Sequence, residues 1–313
     1  MVKYILLRTI WLFVILYLII TLLYFSTNIA QWRSFSIRIP FWDYLRIIQR
    51  QYASYWQGIL SSWDWGIARG TQTGVWQLLV EKAPHTLRIN LIAFVVYMSL
   101  GILLGTIAAV KRHSFIDKLI TVPTLVFGSI PNYIWVFIFM IFLGYRWNLL
   151  PPIPPSSEAG VIMRWKSYVI PVAALSLMPM AKFISLMRAE VIEALDSDYI
   201  LLLKTKGLTN NQIISRHLIK DCLVPIMPEI APTFGFVLTG SFLVERINNI
   251  PGVSKLLADA LFTPMMDFHY INIDVQLAVM VCVFYIVLGL VMVLMVDLVY
   301  AWMDPRIKMG SKK

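Results

Sequence analysis

The sequence predicts an all-α, polytopic membrane protein with six transmembrane helices. Two observations carry that prediction. Of 313 residues, 59% are hydrophobic and only 14% charged, and the mean hydropathy is +0.73, too apolar for a soluble domain of this length. The charges also fall between long uncharged tracts, where cations gather in one set of connecting loops. A net charge of +10 would point to nucleic acid in a soluble protein. Here the positive-inside rule accounts for it, and no nucleic-acid partner is expected.

Residues 9–32 carry no charge and follow Lys3 and Arg8, giving a first span with its N-terminus inside. No small-residue cleavage site ends it, so residues 1–30 read as an uncleaved anchor. Residues 31–88 form an amphipathic outer segment holding Trp32, Trp42, Trp56, Trp63, Trp65 and Trp76. Indoles favour the membrane interface, which predicts short interfacial helices; a docking surface for an extracellular protein is compatible with that.

The core, residues 89–303, opens with a second span at 89–110 whose Gly101-x-x-x-Gly105 lets another helix approach closely. The third, at 119–145, is 27 uncharged residues long, with Pro123 and Pro131 as break points. A broken helix can line a cavity, which makes Ser129 and Pro131 pore-lining candidates. Pro151, Pro152, Pro154 and Pro155 stiffen an outer loop, and a fourth span covers 168–187, with Lys182 reaching toward the inner interface. The fifth, 223–244, holds Pro225, Pro228 and Pro232, so a kinked or irregular helix is expected. It also holds Glu229, read either as a structural glutamate reaching the interface or as a pore-lining group. The sixth runs over 275–296 without a charge, and residues 304–313 form an inner tail.

Between the fourth and fifth spans lies a charged island, residues 196–225. Asp198 is placed to cap a helix over 199–206. Gly207 sits where a left-handed residue ends a helix, with Lys204 and Lys206 in its last turn and Leu208 folding back onto Leu203. Thr209 and Gln212 have capping-box spacing, so a second helix begins at once. The first helix is apolar all round, through Tyr199, Ile200, Leu201, Leu202 and Leu203, and something must cover it. An ordinary ordered loop and a knob for a cytosolic partner are both open; a DNA-reading helix-turn-helix would need a linker that the flanking apolar tracts do not leave.

Other chemistries find little footing. Cys222 and Cys282 suggest no disulfide framework, and His85, His113, His217 and His269 are too scattered for a metal motif. No Gly-Lys dipeptide occurs, so the chain has no Walker A phosphate loop. An ion-coupled secondary transporter would want several intramembrane acids and a repeat, but Glu229 is the one acid well inside a predicted span.

The island's Asp198, Tyr199, Lys206, Gly207, Leu208, Arg216, His217, Leu223 and Pro225 resemble the cytoplasmic coupling motif of ABC importer permeases. The variant is that of the oligopeptide, dipeptide and nickel permease family. The resemblance extends to Trp63-Asp64-Trp65-Gly66, to Pro84-x-Thr86-Leu87, to Asp117 and to Ser129-Ile130-Pro131. It continues through Ile250-Pro251-Gly252-Val253 and the ending Asp304-Pro305-Arg306-Ile307-Lys308. The family's early Pro-Gly-Asp-Pro stretch is missing; Ser26-Thr27-Asn28-Ile29 stands there.

The resemblance implies a type I ABC importer permease fold and an elbow that docks in an ATPase groove through Asp198, Tyr199, Lys204, Lys206, Gly207, Leu208, Arg216 and His217. It also implies a second homologous permease as heterodimer partner, two ATPase subunits holding ATP and Mg, and an extracellular substrate-binding protein that Pro251 and Gly252 would meet. No cofactor is expected on this chain itself. Oligopeptides are the implied cargo, with dipeptides, nickel or metal chelates as alternatives, in a bacterial cell membrane.

Fifteen Lys and Arg fall in the segments assigned inside, Lys182 among them, against Arg146, Arg164, Lys166, Arg246 and Lys255 outside once the long first outer loop is excluded. Both termini are therefore expected in the cytoplasm. In a background without Cys222 and Cys282, single cysteines at Asn210 and Ser311 should resist impermeant thiol reagents in intact cells, while one at Ser156 should label. External labelling at position 311 would overturn the six-span topology.

Overall fold

In the computed structural model, the described residues are 2–34, 40–155, 160–261 and 273–303. The Asp304-Pro305-Arg306-Ile307-Lys308 ending lies outside them. The helices are α1 (Val2–Ser34), α2 (Phe41–Ser62), α3 (Val75–Val110), α4 (Phe115–Ser129), α5 (Asn132–Phe139) and α6 (Val161–Lys166). They continue with α7 (Val169–Leu195), α8 (Asp198–Thr205), α9 (Asn210–Ile213), α10 (Ile219–Ile247), α11 (Val253–Leu261) and α12 (Val275–Met303). Two π-helical stretches, Met140–Arg146 and Ile214–Leu218, extend α5 and join α9 to α10.

Among the described residues, five helical stretches are long and apolar enough to cross a membrane: Thr9–Ala30, Val75–Val110, Val161–Leu195, Asn210–Ile247 and Val275–Met303. A bent pair, Phe115–Ser129 and Asn132–Arg146, meeting at 106°, makes six when it is counted as one span. Of the two prolines proposed as break points, Pro131 makes the break. Its missing N–H and fixed φ suit it to stand just before α5 (φ −58°), whereas Pro123 stays inside α4. The second helix begins at Val75, before the expected 89, and the fifth runs unbroken through Pro225, Pro228 and Pro232. Each of these prolines forfeits one backbone donor, and a further irregularity lies upstream, in the π-helical stretch.

Packing divides the chain into two units. The first comprises Met1–Thr86 with Pro251–Leu290. Here α2 lies along α1: Tyr24 stacks on Tyr55 at 5.1–5.3 Å from its tyrosine neighbours, and Thr21 Oγ1 meets Tyr52 OH at 2.5 Å. Trp65, expected at the interface, is instead buried against Tyr55, while Trp42, Trp63 and Trp76 remain exposed. Gly66, at φ +90°, carries the chain past α12, where Gln276 Oε1 accepts from Ile67 N at 3.2 Å.

The second unit comprises Leu87–Ile250 with Val291–Lys313, and α7 is its centre. The Val161–Leu195 stretch is 61% buried over its most apolar part, against 11% for Thr9–Ala30 and 22% for Val275–Met303, which leave most of their apolar surface uncovered. α4, α5 and α10 pack on α7. α3 crosses it at Gly101 and Gly105: a Cβ on Gly101 would stand 2.6 Å from Phe183 Cβ, and one on Gly105 2.7 Å from the Ile184 carbonyl oxygen. The glycine spacing therefore marks a helix crossing, as the sequence suggests.

Gly105→Ala should lower the thermal midpoint of the purified protein by an amount corresponding to about 1–3 kcal/mol of overpacking. Gly289→Ala, where an added Cβ meets nothing within 4 Å, should leave it unchanged or raise it. Equal midpoints for the two variants would contradict the crossing.

Candidate functional site

The turn from α7 into α10 is built as a fixed elbow. Only Asp196 and Ser197 separate α7 from α8. Ser197, not Asp198, holds the N-cap position (φ −83°, ψ 151°), and its hydroxyl donates back to the Ala194 carbonyl at 2.6 Å. Asp198 is the first helical residue, where its charge still faces the positive end of the helix.

At the other end, Leu208 N donates to the Leu203 carbonyl at 3.3 Å and Gly207 N to that of Lys204 at 3.0 Å. This is the Schellman pattern, with Gly207 left-handed at φ +82° and Lys206 as the C-cap. Thr209 then closes a reciprocal capping box: Gln212 N donates to Thr209 Oγ1 at 3.4 Å and Thr209 N to Gln212 Oε1 at 3.0 Å.

The elbow's own unit covers half of α8. Ile200 and Leu203 are buried in the core around α7, while Tyr199, Leu201 and Leu202 are 45%, 62% and 52% exposed. Lys204, Lys206, Gly207 and Arg216 are exposed, and Leu208 and His217 half-buried. Tyr199 OH lies 3.4 Å from His217 Nδ1, bridging α8 to the π-helical stretch. The outer side of the elbow is thus an apolar patch beside four cations or potential cations.

Two ion pairs fasten the 111–114 turn and the start of α4 to this region. Arg188 of α7 grips Asp117 with Nε on Oδ1 and Nη2 on Oδ2, both at 2.8 Å. Asp117 also accepts from His113 N at 3.0 Å and Thr121 Oγ1 at 3.0 Å, so each carboxylate oxygen has two donors. Arg112 meets Asp196 at 2.7 Å. Its guanidinium holds the Asp196 carboxyl below the usual carboxylate range. Both partners are open to solvent, so that pair orients more than it stabilises.

α4, α7 and α10 line an open cavity of about 520 Å³. α4 lines it with Thr124, Leu125, Gly128 and Ser129. α7 contributes Met178, Pro179, Ala181, Lys182 and Ser185, and α10 Pro232, Thr233 and Phe236. Each set repeats at three to four residues, as one helix face does. Lys182 Nζ turns across to α10, 2.6 Å from Glu229 Oε2 and 3.2 Å from Thr233 Oγ1.

Of the pore-lining candidates, Ser129 lines the cavity and Glu229 joins it through Lys182, while Pro131 marks the α4–α5 break and is not among its walls. The sequence assigned Lys182 to the inner interface, not to the cavity, and left Thr233 unassigned. A lone cation in an apolar run, with Glu229 and Thr233 four apart on another helix, was the available signal. In the first unit, Gly252 is buried and Pro251 half-buried; the turn they form is tied by Val253 N donating to Thr86 Oγ1 at 2.9 Å.

Comparison with known proteins bears on these features. Residues 101–309 match the profile of a family described as binding-protein-dependent transport system inner membrane component. The chain is 29% identical over 322 residues to the dipeptide transport system permease protein DppB of Lactococcus lactis subsp. cremoris (strain MG1363), covering 99% of this chain and 100% of that one. It is 30% identical over 263 residues to DppB of Bacillus subtilis (strain 168), covering 84% and 80%. With the oligopeptide transport system permease protein OppB of Haemophilus influenzae it shares 26% over 266 residues, 83% and 81% of the two chains.

Among solved structures, a chain from inward-facing conformations of the MetNI methionine ABC transporter superposes with a TM-score of 0.54 at 15% identity, over 73% of this chain and 97% of that one. One from an amino acid ABC transporter with histidines gives 0.51 at 16% identity, over 72% and 93%. These two likenesses concern the fold.

Arg188→Leu leaves the Asp117 carboxylate, 8% exposed, without its charged partner. It should cost about 1–3 kcal/mol, read as a lower thermal midpoint, with Arg188→Lys recovering only part because it cannot make the two-pronged contact. An unchanged midpoint for Arg188→Leu would show the pair to be ornamental.

Proposed function

Because the chain belongs to the family of binding-protein-dependent transport system inner membrane components and is a permease subunit of an ABC importer, we propose that it forms half of a peptide-translocating pore driven through its elbow. The partners would be a second, homologous permease in a heterodimer, two ATPase subunits that hold ATP and Mg, and an extracellular substrate-binding protein. The whole would sit in a bacterial cell membrane with both termini of this chain in the cytoplasm. Binding-protein contact would centre on the Pro251–Gly252 turn and its neighbours, since Gly252 itself is covered.

The observation that carries the reading is the elbow's construction. A short helix seated by Ile200 and Leu203 leaves Tyr199, Leu201 and Leu202 outward, with Lys204, Lys206 and Arg216 exposed on the same segment. Apolar residues with a basic rim suit a groove on a partner protein. A push on α8 passes almost directly into α7, and through the unbroken Asn210–Ile247 rod into α10. Closure of the ATPases would therefore change the angle between the two helices that wall the cavity. The names of the peptide permeases that this chain is similar to support peptide cargo. Oligopeptides are the cargo the sequence motifs suggest, and the DppB names support dipeptides as the second reading.

Gly207→Val tests the coupling. It forces a β-branched residue to φ +82°, where an added Cβ meets no neighbour but the backbone itself is strained by about 1–3 kcal/mol. The variant should insert and pair with its sister permease, yet retain the ATPases weakly or hydrolyse ATP without response to loaded binding protein. Normal peptide uptake at normal expression would reduce the elbow to an ordinary loop.

A further inference from the structure

We propose that the Lys182–Glu229 pair is a recognition site for the charged ends of a peptide in transit, Glu229 taking the α-ammonium and Lys182 the α-carboxylate. The inference rests on the peptide-import reading and adds a site and a ligand chemistry to it. Lys182 lies 13 residues from either end of α7, by 182 − 169 and 195 − 182. Its partner Glu229 lies ten residues into α10, by 229 − 219. Charges inside apolar spans are costly, and where they occur they mark substrate paths more often than scaffolding. A well-packed apolar pair would hold two helices together at least as well. This pair is not sealed: the two side chains are 43% and 45% exposed.

The surroundings complete the site. The cavity, about 520 Å³, is mostly apolar with a few polar groups, as small-molecule sites are. An extended dipeptide spans at most about 7 Å. The hydroxyls of Thr124, Ser129 and Ser185 donate to carbonyls of their own helices, at Ile120, Leu125 and Ala181. Their lone pairs are what remain to offer, and these suit the N–H groups of a peptide and its ammonium.

The chemistry is an exchange of partners. A zwitterion entering the cavity breaks one ammonium–carboxylate contact and makes two, so no uncompensated charge is left at any stage. Once the peptide leaves, Lys182 and Glu229 find each other again, and the empty cavity is neutral. Because the two residues stand on the two packed helices that the elbow joins, reorientation of α7 against α10 would separate them and free both for the ligand.

The test is a cycle between residue and substrate in the complete importer, reconstituted with its ATPases and binding protein. Uptake of labelled alanyl-alanine is compared with that of its N-acetyl and C-amide forms, in wild type, Glu229→Gln and Lys182→Met. The binding protein's own preference is common to all three forms of the permease and cancels. In Glu229→Gln the penalty for N-acetylation should shrink by about tenfold, the size of one charge-assisted hydrogen bond, while the C-amide penalty stays. Lys182→Met should show the reverse. Should Glu229→Gln fail to assemble, Glu229→Asp, which keeps the charge but withdraws it, carries the same comparison. Equal penalties in all forms, with brisk wild-type uptake, would overturn the site alone. A wild-type complex that couples ATP hydrolysis but imports no peptide would overturn both the site and the peptide reading.

Discussion

α7 can be buried along most of its length only because its neighbours offer small residues where they cross it. Lipid tails are as apolar as leucine, so no hydrophobic force gathers helices within a bilayer; dense contact and a few polar bonds must do so. Gly101 and Gly105 let α3 come within side-chain-free distance of α7. Tyr97 can then stack on Phe183, with ring centroids 5.7 Å apart, and Ser176 Oγ reaches the Ala93 carbonyl at 3.4 Å. With α7 fixed, so are its two inward-reaching cations, Lys182 toward α10 and Arg188 toward α4.

The elbow inherits that fixity. It starts two residues beyond α7, is pinned from below by Ile200 and Leu203, and is flanked by the Arg112–Asp196 contact. Its corner depends on backbone bonds at Gly207 and on the Thr209 box, not on long side chains, so it can carry load without rearranging. A compact corner between two long rods suits the moving part proposed above.

Much of this was legible because it is local. Gly207, Thr209 and Gln212 announce a helix stop and a helix start within six residues, and the structure builds both. Pro131 announces a break because its ring denies the preceding turn a donor. What could not be read was either ambiguous by one residue or settled by distant contacts. Ser197 and Asp198 are both good caps, and tertiary placement chose the backbone of the first. Lys182 and Glu229 are 47 positions apart, so their pairing is a property of helix packing, which no window of sequence contains. Trp65 resembles an interfacial indole until Tyr55 of α2 is laid against it.

The π-helical stretch at Ile214–Leu218 separates two stripes of buried residues. Upstream is Ile213; downstream the stripe runs Leu218, Cys222, Ile226, Ile230, with a step of five across the stretch and steps of four thereafter. In an α-helix one residue is worth about 100° of rotation, so the wider turn acts as a phase adjuster between elbow and span. The direction in which the exposed face of the elbow points is set apart from the direction in which α10 shows its cavity wall. A chain one residue shorter in this stretch could relax to ordinary α-helix and keep both stripes inward, whereas the same loss further along α10 would turn every wall residue beyond it away from the cavity. Length variation in such a permease is therefore best absorbed at this single turn, where partner surfaces can diverge while the transport path stays in register.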